Sequence, residues 1–214
     1  MQIQEPITFF SADTITVLEG RWLAPEKDGA AVAVLAHHLP TMSNMDQRAI
    51  FSTFKELRGR GWGVLRYNSR GVGGSAGEYS GGAGEDLDLA GAVAEARRRS
   101  PNSRIALIGW SFGAERVLRL MKADPAMIAA VAITPNPAAL NDNARGQHGP
   151  LLVIVAERDE LFELEATRIA FDHASEPKTW LLLAEATHLY LTREPEVARA
   201  TADWLEAHCR ASGA

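Results

Sequence analysis

Ile105-Ala106-Leu107-Ile108-Gly109-Trp110-Ser111-Phe112-Gly113-Ala114 is an apolar run that ends at a serine set between two glycines. The run reads as a strand, Ser111 as the apex of a sharp turn, and residues 112 to 123 as the helix that follows. A turn of this kind holds its serine in strained backbone and projects the hydroxyl beyond the strand end. Small residues two before and two after it let the turn close against neighbouring backbone. A serine so placed has the position of a nucleophile, which also requires an acid, a base and two oxyanion donors from elsewhere in the chain.

The same grammar extends in both directions. Short strands over 7–10 and 14–18, joined by Ser11-Ala12-Asp13, suggest an antiparallel edge. Apolar runs then alternate with helical patterns: strand 31–36, helix 46–59, strand 62–67, helix 84–99, strand 104–108, helix 112–123, strand 128–134, strand 151–156, helix 163–174, strand 179–183 and helix 195–209. Runs that are apolar throughout, such as Ala31-Val32-Ala33-Val34-Leu35-Ala36, belong to strands covered on both faces. The expected fold is therefore α/β, a mostly parallel central sheet with helices on both faces. The chain of 214 residues, 46% hydrophobic and 23% charged, is expected to form a single domain over 1–214.

Composition narrows the function classes. A formal net charge of −5 argues against a nucleic-acid surface, and the basic cluster Arg97-Arg98-Arg99 falls at a helix end, where cations complement the dipole. No apolar stretch approaches the roughly 18 residues of a membrane span. The opening Met1-Gln2-Ile3-Gln4-Glu5-Pro6 lacks the basic-then-apolar pattern of a leader. A cytoplasmic protein is the expectation. Cys209, the only cysteine, excludes an intrachain disulfide and a cysteine-based metal site. Oligomeric state is not readable.

Loops beyond the C-terminal ends of parallel strands are where such folds place chemistry. After Ser111, the order to look for is an acid and then a histidine. Asp159 follows the strand Leu151-Leu152-Val153-Ile154-Val155, and His188 follows Trp180-Leu181-Leu182-Leu183. Asp159 alone would also serve as a helix cap, and His188 alone as a solvated loop histidine. Their joint occurrence at successive strand ends, in the required order, favours Ser111, Asp159 and His188 as one catalytic set, with Glu157 and Glu160 as competing carboxylates. The oxyanion donors would be the amide of Phe112, which opens a helix, and an amide from His37-His38-Leu39-Pro40, with Leu39 preferred over His38. Adjacent histidines diverge and no further ligand cluster joins them, so neither a metal nor any other cofactor is expected. His148, His173 and His208 read as structural or surface residues.

The residues resemble the alpha/beta-hydrolase superfamily, and within it small bacterial dienelactone-hydrolase-like proteins that carry an H-P-H-P segment, an R-F-N-F-R-G-V-G-x-S-x-G segment and G-F-S-F-G-A. Here these stand as His37-His38-Leu39-Pro40, Arg66-Tyr67-Asn68-Ser69-Arg70-Gly71-Val72-Gly73-Gly74-Ser75-Ala76-Gly77, and Gly109 to Ala114. The likeness spans roughly residues 30 to 210, and a His-His pair replaces the first His-Pro of the family pattern. The resemblance implies the alpha/beta-hydrolase fold and places the triad on Ser111, Asp159 and His188. The segment from Arg70 to Ser75 is glycine-rich, but no Gly-Lys-Ser/Thr closes it. It reads as a tight turn braced by Arg70 against Glu85, Asp86 or Asp88.

Only Thr134 to Pro150 separate the strand before the acid from its predecessor, too short a stretch for a cap domain. An open, shallow site favouring small or exposed acyl groups is expected, with Met42, Trp110, Leu161, Phe162, Leu189 and Tyr190 as apolar lining. The function expected is acyl transfer from a small-molecule ester or thioester to water. A peptidase or amidase would use the same set but also needs an anchor for a peptide terminus, and the sequence shows none. A non-catalytic ligand-binding protein of the same fold is the third reading, and the intact Ser, Asp and His argue against it.

Overall fold

The computed structural model describes residues 4–209. The first three residues of the opening segment and residues 210–214 lie outside it. Its strands are β1 (Glu5–Phe10), β2 (Val17–Leu23), β3 (Val32–Ala36), β4 (Gly63–Tyr67), β5 (Ile105–Trp110), β6 (Met127–Ile133), β7 (Leu151–Ala156) and β8 (Lys178–Leu183). Its helices are α1 (Arg48–Gly59), α2 (Ala83–Arg99), α3 (Phe112–Ala123), α4 (Pro137–Asn143), α5 (Leu164–Asp172) and α6 (Glu194–Cys209). The strands form one sheet in the order β1-β2-β4-β3-β5-β6-β7-β8. From β4 to β8 neighbouring strands run parallel, while β2 is antiparallel to both β1 and β4.

Strand periodicity divides each apolar run between two cores. Val32, Val34, Leu107, Ala130, Val153 and Val155 face one layer with Leu89, Val117, Leu118 and Phe171, which come from α2, α3 and α5. Ala33, Leu35, Ala106, Ile108, Val131, Leu152 and Ile154 face the other, with Ile50, Phe54, Val197 and Leu205 from α1 and α6. The three arginines at the end of α2 are surface residues with local partners. Arg98 and Arg99 hold Glu95, and Arg97 holds Asp124.

Two boundaries depart from the sequence reading. β2 runs over Val17–Leu23 rather than 14–18. The reason is Asp13, whose Oδ1 accepts from the amides of Ile15 and Thr16 at 2.9 and 2.8 Å and fixes those residues in a turn, with Thr14 at φ +63°. α4 was not anticipated. Asn136 caps it by accepting from the Ala138 and Ala139 amides, and Pro137 occupies its first turn, so Asn-Pro was the available signal.

The chain goes from β3 to β4 on one side, then crosses to β5 on the other, so the strand order reverses between β3 and β5. The crevice beyond their C-terminal ends is where open α/β sheets bind ligands. His38, Leu39 and Ser111 emerge there, because Ala36 of β3 stands beside Gly109 of β5.

Candidate active site

Ser111 sits between β5 and α3 at φ +50°, ψ −111°, a left-handed conformation that costs a non-glycine residue on the order of 1–3 kcal/mol. Its amide donates to Ile133 O at 2.8 Å, which ties the turn to β6. The flanking glycines are required by space. A Cβ on Gly113 would meet Ala36 O and stand 2.5 Å from His37 O, and one on Gly109 would stand 2.5 Å from the Gly113 carbonyl carbon.

The turn delivers the Ser111 hydroxyl to His188. Ser111 Oγ lies 2.9 Å from His188 Nε2, and His188 Nδ1 lies 2.8 Å from Asp159 Oδ2. With Asp159 ionised, the imidazole donates from Nδ1 and accepts the serine proton at Nε2. Asp159 also does what a cap would do. Its Oδ1 accepts from the amides of Leu161 and Phe162 at 2.9 and 3.0 Å, so the carboxylate fixes its own loop while facing the histidine. Burial pushes the Asp159 pKa up, but the His188 hydrogen bond and these two amides outweigh it and hold the group below the ordinary carboxylate value. The competing carboxylates bind backbone instead: Glu157 accepts from the Glu185 amide at 2.8 Å and Glu160 from the His188 amide at 3.0 Å. Phe162 sets its ring edge-on to the imidazole at 5.3 Å.

Phe112 opens α3, where a helix supplies no internal acceptor for the first amides, and its side chain lines the pocket beside Ser111. Leu39 and His38 line the same pocket from the β3–α1 loop. That loop is held by His37, which donates from Nδ1 to His38 O at 2.7 Å and accepts the Ser69 amide at Nε2 at 3.1 Å. Asn68 accepts the Met45 amide at 2.8 Å, and Arg66 donates to Met45 O at 2.9 Å. The segment from Arg66 to Ser69 thus staples the loop that carries Leu39. His173 and His208 lie elsewhere, bonded to Asn141 and to Trp204 O. Among the described residues, no group of three or more His, Cys, Asp or Glu side chains gathers in a metal-holding arrangement.

A pocket of about 550 Å³ opens beside Ser111, with Leu39, Met42, Phe112, Leu161, Phe162, Leu189 and Leu191 among its walls. None of the residues from 134 to 150 lines it, so α4 forms no cap, and its walls come from the β3–α1, β7–α5 and β8–α6 loops together with α1, α3 and α6. Met42, Leu161, Phe162 and Leu189 fall where the sequence reading put them. Trp110 and Tyr190 do not. They point to the α1–α6 core and meet edge to face at 5.3 Å, because strand alternation turns Trp110 away from the crevice. Glu115, Glu160, Glu194, Gln47, Arg48 and Leu191 were missed as lining. Glu115 lies four residues beyond Ser111 in α3, a helical spacing that was the available signal.

A family model described as serine aminopeptidase, S33 matches residues 44–144, a span that holds Ser111 and ends before Asp159 and His188. An uncharacterized protein of Rickettsia prowazekii is 35% identical over 120 residues, 55% of this chain and 50% of that one. The chain therefore spans about half the length of that curated relative. Among solved structures, a protein of unknown function from Agrobacterium tumefaciens superposes with a TM-score of 0.88 at 23% identity, over 97% of this chain and 98% of that one. A serine hydrolase without a lid from Xanthomonas campestris gives 0.83 at 24% identity, over 98% and 97% of the two chains. An esterase of Pyrococcus furiosus gives 0.84 at 20% identity, over 97% and 93%. The fold is the alpha/beta-hydrolase fold in its capless form. Among the described residues, no helix is long and apolar enough to cross a membrane.

Proposed function

We propose that the protein is a serine hydrolase that cleaves a small carboxylic ester or thioester through an acyl-enzyme. One observation carries the reading: an unbroken hydrogen-bond chain from Ser111 Oγ to His188 Nε2, and from His188 Nδ1 to Asp159, beside an apolar pocket. Ser111 attacks the substrate carbonyl while His188 takes its proton, and the tetrahedral oxyanion is held by the Phe112 amide and one from Leu39 or His38. His188 then returns the proton to the leaving alcohol or thiol. Water, deprotonated by the same imidazole, attacks the acyl-enzyme carbonyl and releases the acid and free Ser111. Asp159 keeps the imidazole in the required tautomer and stabilises its charged form.

The test is a fluorophosphonate probe followed by intact-mass analysis and peptide mapping. One adduct on Ser111, absent in Ser111→Ala, is expected, and folded protein that stays unlabelled would falsify the reading. Asp159→Asn is expected to keep the fold and lower kcat by about 10⁴-fold, the scale of a mis-set tautomer in serine proteases.

The S33 description and the carboxyl groups at the pocket rim raise a second reading, an aminopeptidase that holds a substrate ammonium. Each of those groups already has a protein partner. Glu160 accepts the His188 amide, Glu194 faces Arg48 at 3.4 Å, and Glu115 faces Arg116 at 3.1 Å. Ester turnover is therefore expected to exceed aminoacyl-anilide turnover, and the reverse order would favour the peptidase.

A further inference from the structure

Two properties of the pocket bear on what the acyl group is. Its walls are apolar and unusually bare. Met42, Leu161 and Leu191, contributed by three different loops, are 77%, 65% and 62% exposed around one mouth. Large apolar side chains scattered singly on a surface are ordinary, but a cluster around a concave site marks a surface that a ligand covers. Its charge is one-sided. Three carboxyl groups, Glu115, Glu160 and Glu194, line the pocket; Arg116 stands 3.1 Å from Glu115 and Arg48 3.4 Å from Glu194, which leaves Glu160, on the His188 amide, as the carboxylate in excess. Among the described residues, Arg48 is the one arginine that lines it, and no lysine does.

We infer that this site selects an uncharged acyl chain well beyond acetyl in size, carried on a neutral leaving group, and discriminates against polyanionic carriers such as coenzyme A thioesters. The inference rests on the serine-hydrolase reading and names its substrate class. The acyl chain would run from the Ser111 carbonyl along Phe112 and Leu39 and be covered by Met42, Leu161 and Leu191. Each methylene that leaves water for such a wall is worth up to about fourfold in kcat/KM, the factor that corresponds to ~0.8 kcal/mol per buried CH₂. The rim acts in the opposite direction on anions. Carriers with several phosphate charges approach a net negative mouth, and this repulsion weakens as salt shortens the screening length.

The test has three arms on the intact protein. First, a small alkyl fluorophosphonate establishes whether Ser111 reacts at all. Unlabelled protein overturns both the hydrolase reading and the substrate class. Second, kcat/KM is measured for p-nitrophenyl esters from acetate to dodecanoate. A rise of at least about tenfold from acetate to octanoate is expected from a few buried methylenes, and Leu161→Ser is expected to reduce the octanoate-to-acetate ratio. A labelled Ser111 with a flat or falling chain-length profile overturns the substrate class and leaves the hydrolase reading standing. Third, octanoyl-coenzyme A is compared with octanoyl-N-acetylcysteamine, which has the same thioester and no phosphate. The neutral thioester is expected to be at least about tenfold better at low ionic strength, with the gap narrowing in salt. Equal or better turnover of the coenzyme A ester overturns the charge selection.

Discussion

His37 uses both ring nitrogens, donating to His38 O and accepting the Ser69 amide, and it can do so only as the neutral imidazole. Burial is the main reason its pKa is pushed down to about 4, against 6.5 in the unfolded chain. The sign follows from proton counting. Between those two values the unfolded chain binds a proton that the folded protein refuses. The stability tied to His37 is full above pH 6.5 and drains away as the pH falls towards 4. The slope in that window is at most about 1.4 kcal/mol per pH unit. Carboxylates held low, such as Asp159 and Glu85, act below this window, while burial pushes Glu115 up and His38 down to about 4, so the His37→Gln variant is what separates His37 from these groups. Urea denaturation is expected to show wild type losing more stability than His37→Gln between about pH 7 and pH 5. Equal losses would remove His37 as the acid-sensitive residue. None of this was legible in the sequence. His37-His38 announced a loop at a strand end, but the roles of the two rings depend on Ser69, distant in sequence and adjacent only through the pairing of β3 with β4. Asp159 shows the same limit from the other side. The sequence reading offered Asp159 as a helix cap or as a partner of His188; α5 begins after Glu163 instead, and the Asp159 carboxylate accepts the Leu161 and Phe162 amides of its own loop while it faces the imidazole.

At the scale of elements, the loop after β4 is joined to the start of α2 and to the β1–β2 turn by one guanidinium. Arg70 donates to Asp88 at 2.8 Å and to Asp13 at 3.0 Å. The sequence reading offered Glu85, Asp86 or Asp88 as its partner. Asp88 is the one, since Glu85 accepts from the Gly82 amide at 2.7 Å and Asp86 faces Arg116 and Arg119. Asp13 stood in the expected β1–β2 turn but was not foreseen as a partner, because it is far from Arg70 in sequence and meets it only through the fold. Asp88 is fully buried, so Arg70→Ala leaves a carboxylate without its cation in low dielectric, at a cost of about 3 kcal/mol or more. The urea midpoint is expected to fall accordingly, and Asp88→Asn in the same background is expected to restore part of it by removing the stranded charge. An unchanged midpoint would show that the pair does not brace these elements. The elements that the sequence located well are those with one dominant signal. β3, β5 and β7 are uninterrupted apolar runs, and α3 follows the glycine-flanked serine. α4 was lost because seven residues give too little periodicity to outweigh the loop-like composition around it.

Across the whole molecule, burial is graded from the centre of the sheet outwards. Every residue of β3, β5 and β7 is buried, whereas β1 alternates with solvent and β8 has one fully buried residue, Leu183. The crevice at the β3–β5 switch point is therefore built on the part of the fold with the least access to water, and its loops are anchored to strands expected to be the last to open. The outer strands have no such support. β1 has a single strand neighbour, β2, and β8 a single neighbour, β7. Amide hydrogen exchange is expected to follow this gradient, slowest in β3, β5 and β6, intermediate in β4 and β7, and fastest in β1 and β8. Residues 159–162 and 188–191 are expected to exchange quickly except at the Leu161, Phe162 and His188 amides, which Asp159 and Glu160 accept, and at the buried Tyr190 amide, which donates to Thr187 O. The Leu161, Phe162 and His188 amides tie the loops that carry Asp159 and His188 to carboxylates of the site. Loss of protection at them in Asp159→Asn, with β5 unchanged, would show that the carboxylate organises its loop as well as the imidazole. Protection that survives the substitution would assign the loop's order to the packing of Phe162 on His188.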